Sequence, residues 1–79
     1  DLYRLEHETE LLELGLDELL TTHISLIEWP DIARKLLGAD VLWMTFDVLQ
    51  EPIRHIVVSA GGQRALALCS DLWSLHDLN

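Results

Sequence analysis

Cysteine is almost missing from this chain. Cys69 stands alone, so no disulfide can close within the sequence and no thiolate cluster can hold zinc. A reducing, cytoplasmic setting suits such a chain. Basic residues are scarce too: 5 Lys and Arg stand against 14 Asp and Glu, for a net charge of −9. Seven of the acids fall within residues 1–20, where Arg4 is the one base. That balance argues against autonomous nucleic-acid binding, which needs a basic footprint, and against an anionic membrane surface. No apolar run approaches the roughly 18 residues of a membrane span, and no signal peptide is visible. None of the glycines Gly15, Gly38, Gly61 and Gly62 is followed by Lys, so a G-x-x-x-x-G-K-[ST] phosphate loop does not occur in these 79 residues. Repeats, low-complexity tracts and linkers are likewise missing. The first residues, Asp1-Leu2-Tyr3-Arg4, carry no initiating Met and no lead-in, and the chain reads as cut from something longer.

What remains is a short chain that is 49% hydrophobic, enough for one small domain with a thin core. Residues 1–5 read as a strand end or the turn leaving it. From about Glu8 to Leu14, leucines and acids recur at helical spacing. Leu5, Leu12, Leu16 and Leu19 can share one face, with Leu11 and Leu20 at its margins. Glu8 and Glu10 suit the helix N-terminus, and Gly15 is a natural stop before a second helical turn over Leu16–Leu20. Thr21 and Thr22 then lead into the run His23-Ile24-Ser25-Leu26-Ile27-Glu28-Trp29-Pro30. It is too short for an ordinary helix, and its β-branched residues predict a buried central strand ended by Pro30.

A short helix over Asp31–Leu37 should end at Gly38, with Arg34 and Lys35 favourable to its dipole. Residues 41–49 alternate: Leu42, Met44, Phe46 and Val48 take one face, Val41, Trp43, Thr45 and Asp47 the other. Gln50-Glu51-Pro52 turns the chain into a partner strand over 53–60, with Ile56 and Val58 on the core side and Arg54 nearer solvent, giving an antiparallel hairpin. Gly61-Gly62 breaks it. A last helix from Gln63 to about His76 carries the stripe Ala65, Leu68, Cys69, Leu72, Trp73 and His76, in which Cys69 is a small hydrophobe rather than a nucleophile.

Glu28 is the candidate for chemistry. It sits at the end of an apolar strand, where open α/β sheets collect ligands and where an acid can hold Mg²⁺ beside a nucleotide. It also fits the plainer role of a solvated strand end. His7, His23, His55 and His76 share no metal-ligand spacing, and Ser25 and Ser59 lack any triad context.

Asp1-Leu2-Tyr3-Arg4-Leu5, the acidic leucine helix through Glu13-Leu14-Gly15-Leu16-Asp17-Glu18, and Leu26-Ile27-Glu28-Trp29-Pro30 together resemble the second half of TsaE. TsaE is the bacterial ATPase subunit of the machinery that makes threonylcarbamoyladenosine at position 37 of tRNAs. The resemblance extends over essentially the whole chain. It implies a single partial domain over 1–79, the C-terminal half of a P-loop-type three-layer α/β sheet, with the central strand, the antiparallel hairpin and flanking helices. It also implies roles. Asp1 matches an acid placed near the terminal phosphate and acting in hydrolysis. Glu28 matches the acid that helps hold Mg²⁺, Trp29 the tryptophan beside it, and Tyr3 and Arg4 complete the first motif. The family's phosphate loop and its threonine ligand would lie upstream. His7 departs from the family, which often has Asp there as a helix N-cap.

Mg²⁺ and ATP are therefore expected of a complete parent and not of the isolated chain. The partners implied are TsaB and TsaD of the threonylcarbamoyl-transfer complex. If the resemblance holds, Asp1 and Glu28 should share one edge of one sheet. The alternative reading is a non-catalytic interaction module, a remnant that packs on a partner; unpaired strand edges would then favour self-association. Trp29 equally fits a rim aromatic, and Tyr3 and Arg4 a structural contact.

Overall fold

The structure is a computed structural model and describes residues 1–77. The chain forms two compact units, Asp1–Gly38 and the stretch from Ala39 onward. The first holds short helices and turns: α1 (Thr9–Glu13), α2 (Leu16–Thr22), a 3-10 turn (Pro30–Ala33) and α3 (Arg34–Leu37). The second holds β1 (Leu42–Gln50), β2 (Ile53–Ala60) and α4 (Gln63–Asp77). This is α/β with a two-stranded antiparallel sheet and helices.

In the first unit α1 begins without a side-chain cap at Glu8. Glu10 instead reaches back, its carboxylate accepting from the main-chain N–H of His7 (3.2 Å) and Glu6 (3.3 Å). Gly15 adopts φ +72°, the left-handed conformation that glycine tolerates best, and separates α1 from α2. That break corrects the expected leucine face. One continuous helical wheel no longer spans residues 5–20, so the phase resets at Gly15. Leu11, not Leu12, is the largest fully buried side chain, at 2% exposure. It packs with Leu2, Leu16 and Ala33, with Leu5, Leu20, Ile27, Ile32, Leu36 and Leu37 around them. Leu12 and Leu19 face outward.

Thr21 and Thr22 also differ from expectation. They belong to α2, and both hydroxyls donate to the Glu18 carbonyl, at 2.8 and 3.1 Å. These bonds hold two β-branched residues in a helical turn they would otherwise disfavour.

The central strand expected over His23–Glu28 is not formed. The segment is extended at His23 but irregular through Ile27, and Ile24 and Leu26 are 98% and 94% exposed. The physical reason is a missing ladder. A strand requires a neighbour for its N–H and C=O groups, and among the described residues no hydrogen bond pairs the main chain of Ile24 through Ile27. β-propensity alone does not make a sheet. The short helix expected over Asp31–Leu37 appears as the 3-10 turn followed by α3, ending at Gly38 with φ +73°.

The hairpin of the second unit forms as read, but Ile56 and Val58, expected on the core side, stay exposed, because no further layer among the described residues covers that face fully. Leu42, Met44, Phe46 and Val48 lie opposite Ala60, Val58, Ile56 and Arg54, so one face is apolar and ends in a cation. Trp43, Thr45 and Asp47 pair with Ser59, Val57 and His55 on the other. The register slips between Val48 and Gln50, leaving Leu49 as a bulge before the Glu51-Pro52 turn, whose peptide bond is cis. Arg54 and Glu51 form an exposed ion pair at 3.2 Å.

The passage from β2 to α4 is built around Asp40. Its Oδ1 accepts from the Ala65 N–H at 2.9 Å and its Oδ2 from the Arg64 N–H at 3.3 Å. A carboxylate just before β1 thereby caps α4 from across the hairpin, satisfying two of the free N–H groups of its first turn. The glycines make room for it. A Cβ on Gly61 would run into the carbonyl oxygen of Ala39, and one on Gly62 would lie 2.6 Å from Asp40 Oδ1. In α4 itself Ala65 is buried and Cys69 half-buried, while Leu68, Leu72 and Trp73 stay more exposed than the expected stripe implies. The helix packs chiefly against β2 and β1.

Candidate functional site: two acidic motifs joined

Two short segments, Asp1–Arg4 and Glu28–Pro30, lie against each other at the surface of the first unit. The Leu2 N–H donates to the Glu28 carbonyl at 3.0 Å. Leu2 is buried in the leucine cluster, whereas Asp1, Tyr3 and Arg4 are exposed. That alternation anchors the first motif by one apolar side chain and leaves its polar groups facing water.

Asp1 is folded onto its own backbone, its Oδ1 accepting from the Tyr3 N–H at 2.8 Å. This is an Asx-type turn, which fixes the carboxylate's direction and commits one of its oxygens. The Tyr3 and Trp29 rings pack with centroids 5.0 Å apart and planes tilted by 57°. Trp29 has φ +56° and ψ +57°, left-handed for a bulky L-residue, and it precedes Pro30. A non-glycine residue pays roughly 1–2 kcal/mol to sit there, and the following proline further disfavours any helical conformation. A tilted ring pair contributes about 0.5–1.5 kcal/mol, toward the lower end for rings this exposed (Tyr3 68%, Trp29 60%). Pro30 then opens the 3-10 turn, whose backbone it suits.

Asp1, Tyr3, Arg4 and Leu5 line an open hollow of about 410 Å³. Glu28 is exposed and does not line it. Arg4 makes no ion pair among the described residues. The expected common sheet edge is corrected: the sheet pairs β1 with β2, and Asp1 and Glu28 belong to neither strand. The segments that carry them are joined instead by the Leu2–Glu28 main-chain bond and the Tyr3–Trp29 ring pair. Sequence reading singled out Asp1, Tyr3, Arg4, Glu28 and Trp29 but passed over Leu2, whose N–H makes the junction. Its signal was a lone apolar residue between polar ones.

The donor chemistry bears on a metal. Among the described residues no three His, Cys, Asp or Glu side chains converge. An all-protein cage for Zn²⁺ or Ca²⁺ is thus not built here. Mg²⁺ asks less of the protein, one or two carboxylates with water and phosphate oxygens completing its shell, and the exposed carboxylate of Glu28 is of that donor type.

The family described as "Threonylcarbamoyl adenosine biosynthesis protein TsaE" matches residues 1–56, a stretch that contains both motifs. The chain belongs to the TsaE family. Among curated relatives, the tRNA threonylcarbamoyladenosine biosynthesis protein TsaE of Rickettsia bellii is 39% identical over 54 residues, covering 68% of this chain and 38% of that protein. The protein of the same name from Rickettsia felis is 41% identical over 51 residues, covering 65% of this chain and 30% of its own length. That of Rickettsia conorii is 39% identical over 49 residues, 62% of this chain and 28% of that protein. The chain thus spans well under half the length of these TsaE relatives. No solved structure matches it. No helix among the described residues is long and apolar enough to cross a membrane.

Proposed function

We propose that this chain carries the metal-holding and hydrolytic acids of a TsaE-type P-loop ATPase serving tRNA N6-threonylcarbamoyladenosine formation. Glu28 is the Mg²⁺ ligand and Asp1 acts at the terminal phosphate. The reading is supported by the junction itself: two motifs 27 residues apart in sequence are drawn together by the Leu2–Glu28 hydrogen bond and the Tyr3–Trp29 contact. In the complete protein the three-layer sheet would supply the strands that the Ile24–Ile27 segment lacks here. The setting is cytoplasmic and the partners are TsaB and TsaD. Direct contact with the tRNA is not expected from a chain of net charge −9.

Bound Mg²⁺–ATP supplies the electrophilic phosphorus and neutralises charge on the phosphate oxygens. The chain's own residues do the rest. Asp1 Oδ1 is held by the Tyr3 N–H, which leaves Oδ2 to accept a hydrogen bond from an attacking water. Glu28 offers an anionic oxygen from a segment whose main chain is pinned at Leu2. Arg4, on the wall of the hollow beside Asp1, offers a cation for phosphate charge.

The test is Glu28→Gln in a TsaE protein that carries this segment together with a G-x-x-x-x-G-K-[ST] loop. The change is nearly isosteric, removes one anionic ligand and is expected to lower Mg²⁺-dependent hydrolysis by about 10²-fold, the scale of one lost transition-state contact. Unchanged turnover at saturating Mg²⁺ would reduce Glu28 to a surface residue. The exposure of Asp1, Tyr3, Arg4, Glu28 and Trp29 and the open hollow favour a second reading, a non-catalytic module that docks on a partner; that reading survives such a result.

A further inference from the structure

We propose that Tyr3 is a positioning residue that ties the two acids of the site to one another. The functional weight of the tie rests on the roles proposed above for Asp1 and Glu28; the tie itself does not. Each end of Tyr3 is engaged. Its main-chain N–H holds Asp1 Oδ1 at 2.8 Å, so the carboxylate follows the Tyr3 backbone. Its ring meets that of Trp29, the residue directly after Glu28, at 5.0 Å. Trp29 is held left-handed ahead of a proline, a conformation that this residue does not choose unaided. The ring contact with Tyr3 adds to the restraint that the Leu2–Glu28 hydrogen bond places on the same peptide.

Restraining Trp29 fixes the peptide that carries the Glu28 carbonyl, to which the neighbouring Leu2 N–H is bonded at 3.0 Å. Asp1 therefore connects through Tyr3 to Trp29, and from there to Glu28. The Tyr3 hydroxyl takes part in none of these contacts, so the ring is what matters. Tyr3 is more than half exposed and lies outside the leucine cluster, which separates this role from core packing.

The test uses the 79-residue chain with Tyr3→Phe, Tyr3→Ala, Trp29→Gly and the pair Tyr3→Ala/Trp29→Gly, each checked for folding by circular dichroism. Amide hydrogen exchange at Leu2 reads the junction, and line broadening by Mn²⁺ alone reads the two acids. Tyr3→Phe should leave both unchanged. Tyr3→Ala should speed Leu2 exchange by about two- to threefold and uncouple the broadening at Asp1 from that at Glu28. Glycine accepts a left-handed backbone without a brace, so Tyr3→Ala should leave Leu2 exchange unchanged in the Trp29→Gly background. The tie is overturned if Tyr3→Phe is as damaging as Tyr3→Ala, or if Tyr3→Ala costs as much with Gly at position 29 as with Trp. If Mn²⁺ broadens neither acid in the unsubstituted chain, the metal reading falls, and the exchange data alone decide the tie.

Discussion

Replacing Asp40 with alanine isolates the cap that joins α4 to the hairpin. The carboxylate accepts from Ala65 N–H at 2.9 Å and from Arg64 N–H at 3.3 Å, and both donors belong to the first turn of α4. Losing a capping side chain costs about 0.5–2 kcal/mol. Losing a negative charge at a helix N-terminus costs about 0.3–1 kcal/mol. Both effects come from the same carboxylate, so they overlap, and the longer Arg64 bond adds little. A net cost of about 1–2 kcal/mol follows, equivalent to a fall in melting temperature of roughly 5–15 °C for a chain of this size. The melt is followed by circular dichroism at 222 nm, and exchange of the Ala65 amide reports on the cap directly. Asp40→Asn keeps an acceptor oxygen without the charge and should lose less than Asp40→Ala. Gly62→Ala should also displace the carboxylate, because its Cβ would lie 2.6–2.8 Å from Asp40 side-chain atoms. The same change should be nearly silent beside Asp40→Gly, where those atoms are gone. A melting temperature for Asp40→Ala within about 2 °C of the parent, with unchanged Ala65 exchange, would refute the capping argument.

Leu11→Ala truncates the largest fully buried side chain of the first unit and should cost about 2–5 kcal/mol, read as loss of helical signal and early unfolding in urea. Calorimetry with ATP should give no measurable binding to residues 1–79, which lack the backbone cradle and lysine of a phosphate loop; micromolar affinity would contradict this. The chain should self-associate or melt early, given exposed Ile24, Leu26, Phe46 and Leu49; a monodisperse monomer with a cooperative melt above about 65 °C would count against it.

The hairpin was legible because its signal is local. Strict alternation from Leu42 to Val48, a proline turn and a second apolar run indicate the antiparallel pairing and which residues share a face, but not whether that face is covered: Ile56 and Val58 stay exposed. Gly15 and Gly38 were legible as stops for the same reason, since positive φ is a property of one residue. The segment over Ile24–Ile27 was read wrongly because a strand is a relation between two segments, and its composition speaks for only one of them. The leucine face shifted because a periodicity argument assumes a continuous axis, which the left-handed Gly15 interrupts. Of the site, sequence supplied the side chains but not the junction. A bond from the Leu2 N–H to the Glu28 carbonyl involves groups present at every residue, and nothing in the letters distinguishes them.

The exposed stretch from Ile24 to Leu26 has a consequence for how the chain survives among proteases. These enzymes bind their substrates as an extended strand and need free N–H and C=O groups to do so. Ile24 to Ile27 offers such a backbone, with the Leu26 side chain turned fully to solvent. An enzyme that cleaves after large apolar residues should therefore make its first cut after Leu26. The two acidic motifs would then lie on separate fragments, held together only by the Leu2–Glu28 bond, the Tyr3–Trp29 rings and the leucine cluster. Whether the nicked halves stay together on a sizing column then measures how much of the junction's strength is its own, and how much is lent by the covalent chain.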